Sequence, residues 1–324
     1  MRVALIHDAL IPARYYGGTE RLVWWIAKGL GEMGHEVVLG TRPGSKGPAP
    51  TTEVHSIDFS KSVAEQLPHA DIYHYFATPK NLPARPYLVT IGGNAQPGET
   101  FLPNTVFVSR SHAQRHGSNN FVYNGVDPSD YEYSEKKSDY LLFLAKASWK
   151  VKNVRGAIRL ARHSKSRLHI VGGSRWWLPN WRGVSWKGVL GGQEKATQVA
   201  GARALLFPVL WQEPFGLAVV EALVSGTPVI ASSVGSLPEL VNNHVGFLCQ
   251  DQGAFARAIG SVGQIRPADC RKWALERFHY HRMVKDYLAL YERAVRVGSI
   301  QPPLTQNPSS GGGRRLGMSL GVVK

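Results

Sequence analysis

The strongest constraint on this chain is a rhythm of short apolar runs alternating with helix-like runs. Residues 3–7 are apolar and stop at Asp8, Pro12 and then Gly17-Gly18. Leu22, Trp25, Ile26 and Leu30 follow at helical spacing as far as Gly34, and 36–39 is a second strand ended by Gly40. Strand, glycine turn, helix and strand make a βαβ start. Residues 71–76, 87–91 and 105–108 continue as strands, 109–116 as a brief helix, and 121–123 as a last strand before Asn124-Gly125.

A polar stretch, 128–138, separates this series from a second one. There the pattern predicts strands at 140–145, 168–171, 204–207 and 228–231, with helices at 154–162, 193–200 and 217–224. Residues 252–297 read as helical, with breaks near Gly263 and Pro267. The expected fold is therefore α/β, with two Rossmann-like open parallel sheets facing each other across a deep cleft. Residues 1–128 form the first domain, 129–297 the second with its closing helices, and 298–324 a flexible tail.

Composition narrows the class. Hydrophobic residues are 43% and charged residues 19% of 324, which excludes a wholly disordered chain. No run approaches the roughly 20 apolar residues of a membrane span. Cys249 and Cys270 make neither a disulfide framework nor a zinc cluster. The opening residues are too soon polar for a signal peptide, so the expected compartment is the cytoplasm, with a peripheral place at the inner membrane face as a variant.

The net charge of +15 is uneven: residues 1–128 carry +1 and residues 129–324 carry +14. Between Asp139 and Glu194 there are eleven Lys or Arg and no acidic residue. Such a field attracts phosphate, nucleic acid or an anionic bilayer; the plain alternative is a soluble basic surface. In the same stretch Trp149, Trp176, Trp177, Trp181 and Trp186 lie among Lys150, Arg155, Arg175, Arg182 and Lys187. That interleaving suits nucleic acid, an anionic membrane interface, or a homodimer surface with some of the tryptophans in the core.

Three segments carry candidate chemistry. Gly17 and Gly18 stand before a helix, where a ligand approaches the backbone and an anion is favoured; a plain turn explains them equally. Lys146, Lys150 and Lys152 follow a strand of the second half, at the end of the strand where ligands sit, or else form a solvated loop. The segment 213–221 joins Glu213, a Pro-Phe-Gly turn and Glu221 eight residues on. Carboxylates repel phosphate but suit the hydroxyls of a ribose or hexose, while free amides around Gly216 and Leu217, just after Phe215, suit the phosphate. Alone, Glu213 reads as a helix cap and Glu221 as a solvent-facing residue.

In order along the chain, Gly17-Gly18-Thr19-Glu20, the run 122–127, the segment 207–221, the run 226–231, Pro238-Glu239-Leu240 and Gly246-Phe247-Leu248 resemble a family 4 retaining glycosyltransferase of the two-domain GT-B fold. The resemblance implies a nucleoside-diphosphate sugar donor, expected to be a UDP- or GDP-sugar, with no further cofactor and no metal. It assigns Lys146 and Lys152 to the donor diphosphate, Lys146 standing where the family usually has arginine. Lys152-Asn153 is the better match and Lys150 the other register. It assigns Glu213 to the transferred sugar, Glu221 to the ribose hydroxyls, Gly18 to the diphosphate across the cleft, and the region of Val189 and Leu190 to the nucleobase.

The sequence departs from the family at Thr90-Ile91-Gly92-Gly93-Asn94, where a histidine often stands; Asn94 or His112 is the expected substitute, or else the donor differs there. The resemblance implies transfer with retention to an acceptor hydroxyl, the acceptor being held by the first domain. Tyr15 and Tyr16 would stack on a sugar or a base, or pack their loop. Alternatives are a transferase acting on a modified base in DNA, a non-catalytic nucleic-acid-binding module, or a degenerate partner subunit.

Overall fold

The structure is a computed structural model, and it describes residues 1–13, 17–81, 85–96, 98–173 and 182–300. The first lobe runs β1 (Arg2–Ile6), α1 (Gly18–Glu32), β2 (Glu36–Thr41), β3 (Glu53–Ser56), β4 (Ile72–Tyr75), β5 (Tyr87–Ile91), β6 (Thr105–Phe107) and α2 (Arg110–Arg115). The second begins with β7 (Leu141–Leu144), α3 (Val154–His163), β8 (Leu168–Val171), β9 (Val184–Gly188), α4 (Gly192–Ala200) and β10 (Ala204–Phe207). It continues with α5 (Leu217–Val224), β11 (Val229–Ser232), α6 (Leu237–Leu240), β12 (Gly246–Cys249), α7 (Gln252–Ser261), α8 (Pro267–Phe278) and α9 (Tyr280–Val297).

Each lobe holds one sheet of six parallel strands, ordered β3-β2-β1-β4-β5-β6 and β12-β11-β10-β7-β8-β9. The chain reverses its direction of growth between β1 and β4 in the first sheet and between β7 and β10 in the second. Strands β4, β7 and β10 are buried at every residue, because helices cover both faces. The edge strands β3 and β9 lack a fully buried residue. That is why the sequence gives the central strands as apolar runs and gives no signal for β3. Phe121 makes only an isolated bridge to Phe107, so the strand expected at 121–123 does not form.

The helical end of the chain is divided between the lobes. Helix α8 packs on α5, but α9 lies on α1, β4 and β5 of the first lobe. Buried polar groups fix it there. His74 bonds the Tyr291 hydroxyl at 2.7 Å and Thr90 Oγ1 at 2.8 Å, and Thr90 meets the Tyr287 hydroxyl at 3.0 Å. A fully paired network of this kind specifies one packing, since any slip strands a buried polar atom.

The two crossings between lobes run side by side. Val126 N–H donates to Phe278 O at 2.9 Å and Tyr280 N–H to Val126 O at 3.0 Å. Gly125 permits this approach, because a Cβ there would lie 2.6 Å from Tyr280 Cα. The polar stretch after it is also anchored: Trp25 Nε1 donates to Asp130 at 2.8 Å, and Tyr131 is buried.

Candidate active site

Two helix N-termini meet in the cleft. Helix α5 starts from Gly216, held at φ +99° in the left-handed region, and α1 starts from Gly17. Neither N-cap supplies a side-chain hydrogen bond to its helix, and a helix N-terminus of that kind favours an anion. The two N-termini face each other: a Cβ on Gly18 would touch Leu217 Cδ1 at 3.4 Å. The turn before α5 is fixed by Ser109 Oγ donating to Pro214 O and Ser236 Oγ donating to Phe215 O, each at 2.6 Å.

A cavity of about 430 Å³ lies between the lobes at this point, within the size range of small-molecule sites. Of the residues expected at a site, Gly17, Gly18, Lys152, Val189, Leu190, Glu213, Phe215, Gly216, Leu217 and Glu221 all line it. Lys146 does not; it is exposed and lies over the Trp149 ring, 5.2 Å from its centroid.

Local geometry turns the neighbouring lysines in different directions. Residues Lys150–Lys152 form a 3-10 turn closed by Asn153 in the left-handed conformation, φ 59°. Asn153 Oδ1 accepts from Gly156 N–H at 3.0 Å and its Nδ2 donates to Pro208 O at 2.8 Å. This turns Lys152 inward while Lys150 stays exposed. Lys152 Nζ donates to both oxygens of Glu213, at 3.0 and 2.7 Å, and lies 4.7 Å from the Trp211 ring centroid. Trp211 Nε1 donates to Glu213 as well, at 2.6 Å. Glu213 is thus neither a helix cap nor solvated.

Glu221 is 2% exposed, so it is not the solvent-facing residue that the sequence alone allows. Arg21 of the first lobe meets its Oε1 at 2.5 Å and Lys195 its Oε2 at 2.9 Å. Burial raises its pKa, but Arg21 and then Lys195 outweigh burial and hold the carboxyl down at about 2. Sequence reasoning missed Arg21, Lys195 and Trp211. Arg21 stands one residue past the Gly17–Glu20 run, and Lys195 lies in the first turn of the helix after Val189 and Leu190; that placement was the available signal.

Gly92 and Gly93 line the cavity from the first lobe. Asn94 is occupied: its Nδ2 donates to Gln212 O and its Oδ1 accepts from Arg115, both at 2.9 Å. His112 is fully buried between Phe107 and His116, outside the lining, and burial holds it down at about 3. Neither residue lines the cavity, but His112 faces the backbone of Gly93 from behind it.

Glu239, in the Pro238-Glu239-Leu240 run, fastens the lobes. It accepts from Arg110 N–H at 3.0 Å, Ser111 N–H at 2.7 Å and the Tyr123 hydroxyl at 2.7 Å. It therefore caps α2 from across the cleft. Of the aromatic residues singled out in the sequence, Trp149 is 41% exposed and Trp186 half-buried. Tyr15, Tyr16, Trp176, Trp177, Trp181 and the tail after Ile300 lie outside the described residues. Among the described residues no group of three His, Cys, Asp or Glu could hold a metal ion, and no helix is long and apolar enough to cross a membrane.

Residues 138–264, which carry Lys152, Lys195, Glu213 and Glu221, match the family model described as glycosyl transferases group 1. The second lobe is a group 1 glycosyltransferase domain. The D-inositol 3-phosphate glycosyltransferase of Mycolicibacterium smegmatis is 35% identical to this chain over 136 residues, 40% of this chain and 31% of that protein. The protein of the same name from Streptomyces scabiei is 37% identical over 91 residues, 27% of this chain and 20% of its own length. The matched stretches thus span a fifth to a third of these relatives.

Likeness to solved structures extends over both lobes. AviGT4, a glycosyltransferase involved in avilamycin A biosynthesis, superposes with a TM-score of 0.77 and 26% identity, over 91% of this chain and 98% of that one. Anabaena HepE, solved with UDP and glucose, gives a TM-score of 0.65 and 15% identity over 90% of this chain and 100% of its own. The fold is GT-B, with the glycosyltransferase domain as its second lobe and the mouth of the cavity between the two.

Proposed function

We propose that the protein transfers a sugar from a nucleoside-diphosphate sugar to an acceptor hydroxyl, with retention and without a metal, as a family 4 glycosyltransferase. The observation that carries the reading is the convergence of two uncapped helix N-termini on one cavity beside the Lys152–Glu213 pair. The charge that develops in such a transfer lies on the departing diphosphate. Open amides and an ammonium held in a low-dielectric cleft act on that charge.

In this reading Lys152 and the Gly216 and Leu217 amides take the diphosphate, with the Gly18 amide opposite. Glu213 takes hydroxyls of the transferred sugar. Glu221 takes the ribose hydroxyls through lone pairs left over from Arg21 and Lys195, since a carboxylate has about four acceptor sites. Val189 and Leu190 border the base. The glycosidic bond to phosphate breaks, the acceptor oxygen bonds the anomeric carbon on the same face, and its proton passes to the leaving phosphate. Lys146 serves from the rim, reaching the diphosphate only when the donor is bound.

The test is a panel of UDP-, GDP-, ADP- and dTDP-sugars, read by thermal stabilisation and by slow hydrolysis without acceptor. The matching donor raises the melting temperature, and Lys152→Ala and Glu221→Ala lose that rise. Equal stabilisation of both variants and wild type overturns the assignment.

A further inference from the structure

Lys152 and Glu213 are paired with each other. Lys152 Nζ donates to both carboxylate oxygens, and the two residues are 7% and 5% exposed. The proposed donor asks both to change partners: its diphosphate takes the ammonium, and its sugar hydroxyls take the carboxylate. A buried carboxylate whose cation turns to a ligand needs another donor to keep its place.

Trp211 supplies one. It lines the cavity, and its Nε1–H donates to Glu213 Oε2 at 2.6 Å, a charge-assisted bond. The indole is fixed without the Lys152 side chain. Leu210 N–H donates to Val151 O at 2.8 Å. On the other side of the tryptophan, Gln212 O accepts from Asn94 Nδ2 at 2.9 Å and Gln212 Oε1 accepts from Gly235 N–H at 2.8 Å. The Glu213 backbone is held as well, its carbonyl accepting from Ser236 N–H at 3.0 Å. Trp149 meets the indole edge-on, with centroids 6.1 Å apart.

The face of the same ring serves the lysine. Lys152 Nζ lies 4.7 Å from the Trp211 centroid and 5.4 Å from that of Phe207. Aromatic faces attract an ammonium without engaging its N–H donors, so those donors can turn from carboxylate to phosphate while the ammonium keeps its seat.

We propose that Trp211 is a positioning residue for the sugar: its N–H holds Oε2 of Glu213 once Lys152 has turned to the diphosphate, which leaves Oε1 aimed at a sugar hydroxyl. This role rests on the glycosyltransferase reading, and the hold on Glu213 rests on the bonds around Trp211 alone. Trp211→Phe is the discriminating change, because it keeps an aromatic face and deletes the N–H.

The experiment measures, on the full chain, affinities for matched probes: UDP and UDP-glucose, GDP and GDP-glucose, ADP and ADP-glucose, dTDP and dTDP-glucose. With the pair that binds wild type, Trp211→Phe should keep the nucleoside-diphosphate affinity within about twofold and weaken the sugar nucleotide about tenfold. A tryptophan that only filled space would weaken both probes alike. In a Glu213→Ala background the same change should alter sugar-nucleotide affinity by less than about twofold, since its effect runs through that carboxylate. A sugar nucleotide bound as tightly by Trp211→Phe as by wild type, an equal loss for both probes, or an undiminished loss in the Glu213→Ala background each overturns the proposal. A second arm needs no donor. By NMR, the Trp211 indole proton should stay protected from solvent exchange in Lys152→Met and lose that protection in Glu213→Ala. Equal loss in both variants means that the indole does not hold the carboxylate by itself, and overturns the proposal. Failure of wild type to bind any probe overturns the donor reading instead, and the indole arm still decides whether Trp211 holds Glu213.

Discussion

Arg21 reaches from the first turn of α1 in one lobe to Glu221 of α5 in the other, at 2.5 Å. The same guanidinium donates to Gly17 O and to the Tyr131 hydroxyl, each at 3.1 Å. One side chain therefore ties a cavity-lining glycine turn, the inter-lobe segment and the buried carboxylate together.

Arg21→Met removes the larger of the two cations that face Glu221 and leaves Lys195 alone beside a buried carboxylate. Breaking a buried pair from one side costs about 3 kcal/mol. Urea unfolding should show a loss of that order, and Arg21→Lys should recover most of it. A loss below about 0.5 kcal/mol for Arg21→Met would mean that the pair contributes nothing net.

Acid should destabilise the protein in two stages. His74 and His112 are pushed by burial from 6.5 to about 3, so the unfolded chain binds their protons more readily. Their contribution is complete above pH 6.5 and is lost as pH falls toward 3. Glu221, held at about 2 against 4.5, contributes above pH 4.5 and loses that contribution as pH falls toward 2. Urea midpoints should therefore decline from pH 6.5 downward, and His74→Gln should flatten the upper stage. A midpoint that stays constant from pH 7 to 4 contradicts this.

Two glycines near the site should respond in opposite ways to a side chain. Gly235 has φ +60°, and a Cβ there would lie 2.4 Å from both N and O of Glu213. Gly235→Ala must displace Glu213, with strain alone worth about 1–2 kcal/mol. Gly92 carries no such constraint, and its Cβ would meet only Thr19 Oγ1, at 3.7 Å. Gly92→His should change stability by less than about 0.5 kcal/mol while altering the KM for the donor sugar. Calorimetry separates the two at once.

Glu239→Ala removes three acceptor contacts that span the lobes. It should lower stability by about 2 kcal/mol and widen the molecule in small-angle scattering. Burial, and then the Glu239 carboxylate, push Tyr123 up to about 12. In the variant, ultraviolet titration should show that tyrosine ionising at lower pH. An unchanged radius of gyration with an unchanged titration would place the closure elsewhere.

The sequence by itself determined the two sheets. Strands covered on both faces are mostly apolar, so β7 and β10 are written as continuous runs, and Gly17-Gly18 and Gly216 mark the starts of the two helices that face the cavity. It also pointed to Glu213 and Glu221 by residue type and spacing, which are local, and to Lys152 by resemblance to a family. Only the tertiary structure decided their partners. Arg21 lies 200 residues from Glu221, and α9 leaves the second lobe to cover the first. Contacts of that range leave no local period in the chain, since they form only when two separately legible sheets are brought face to face.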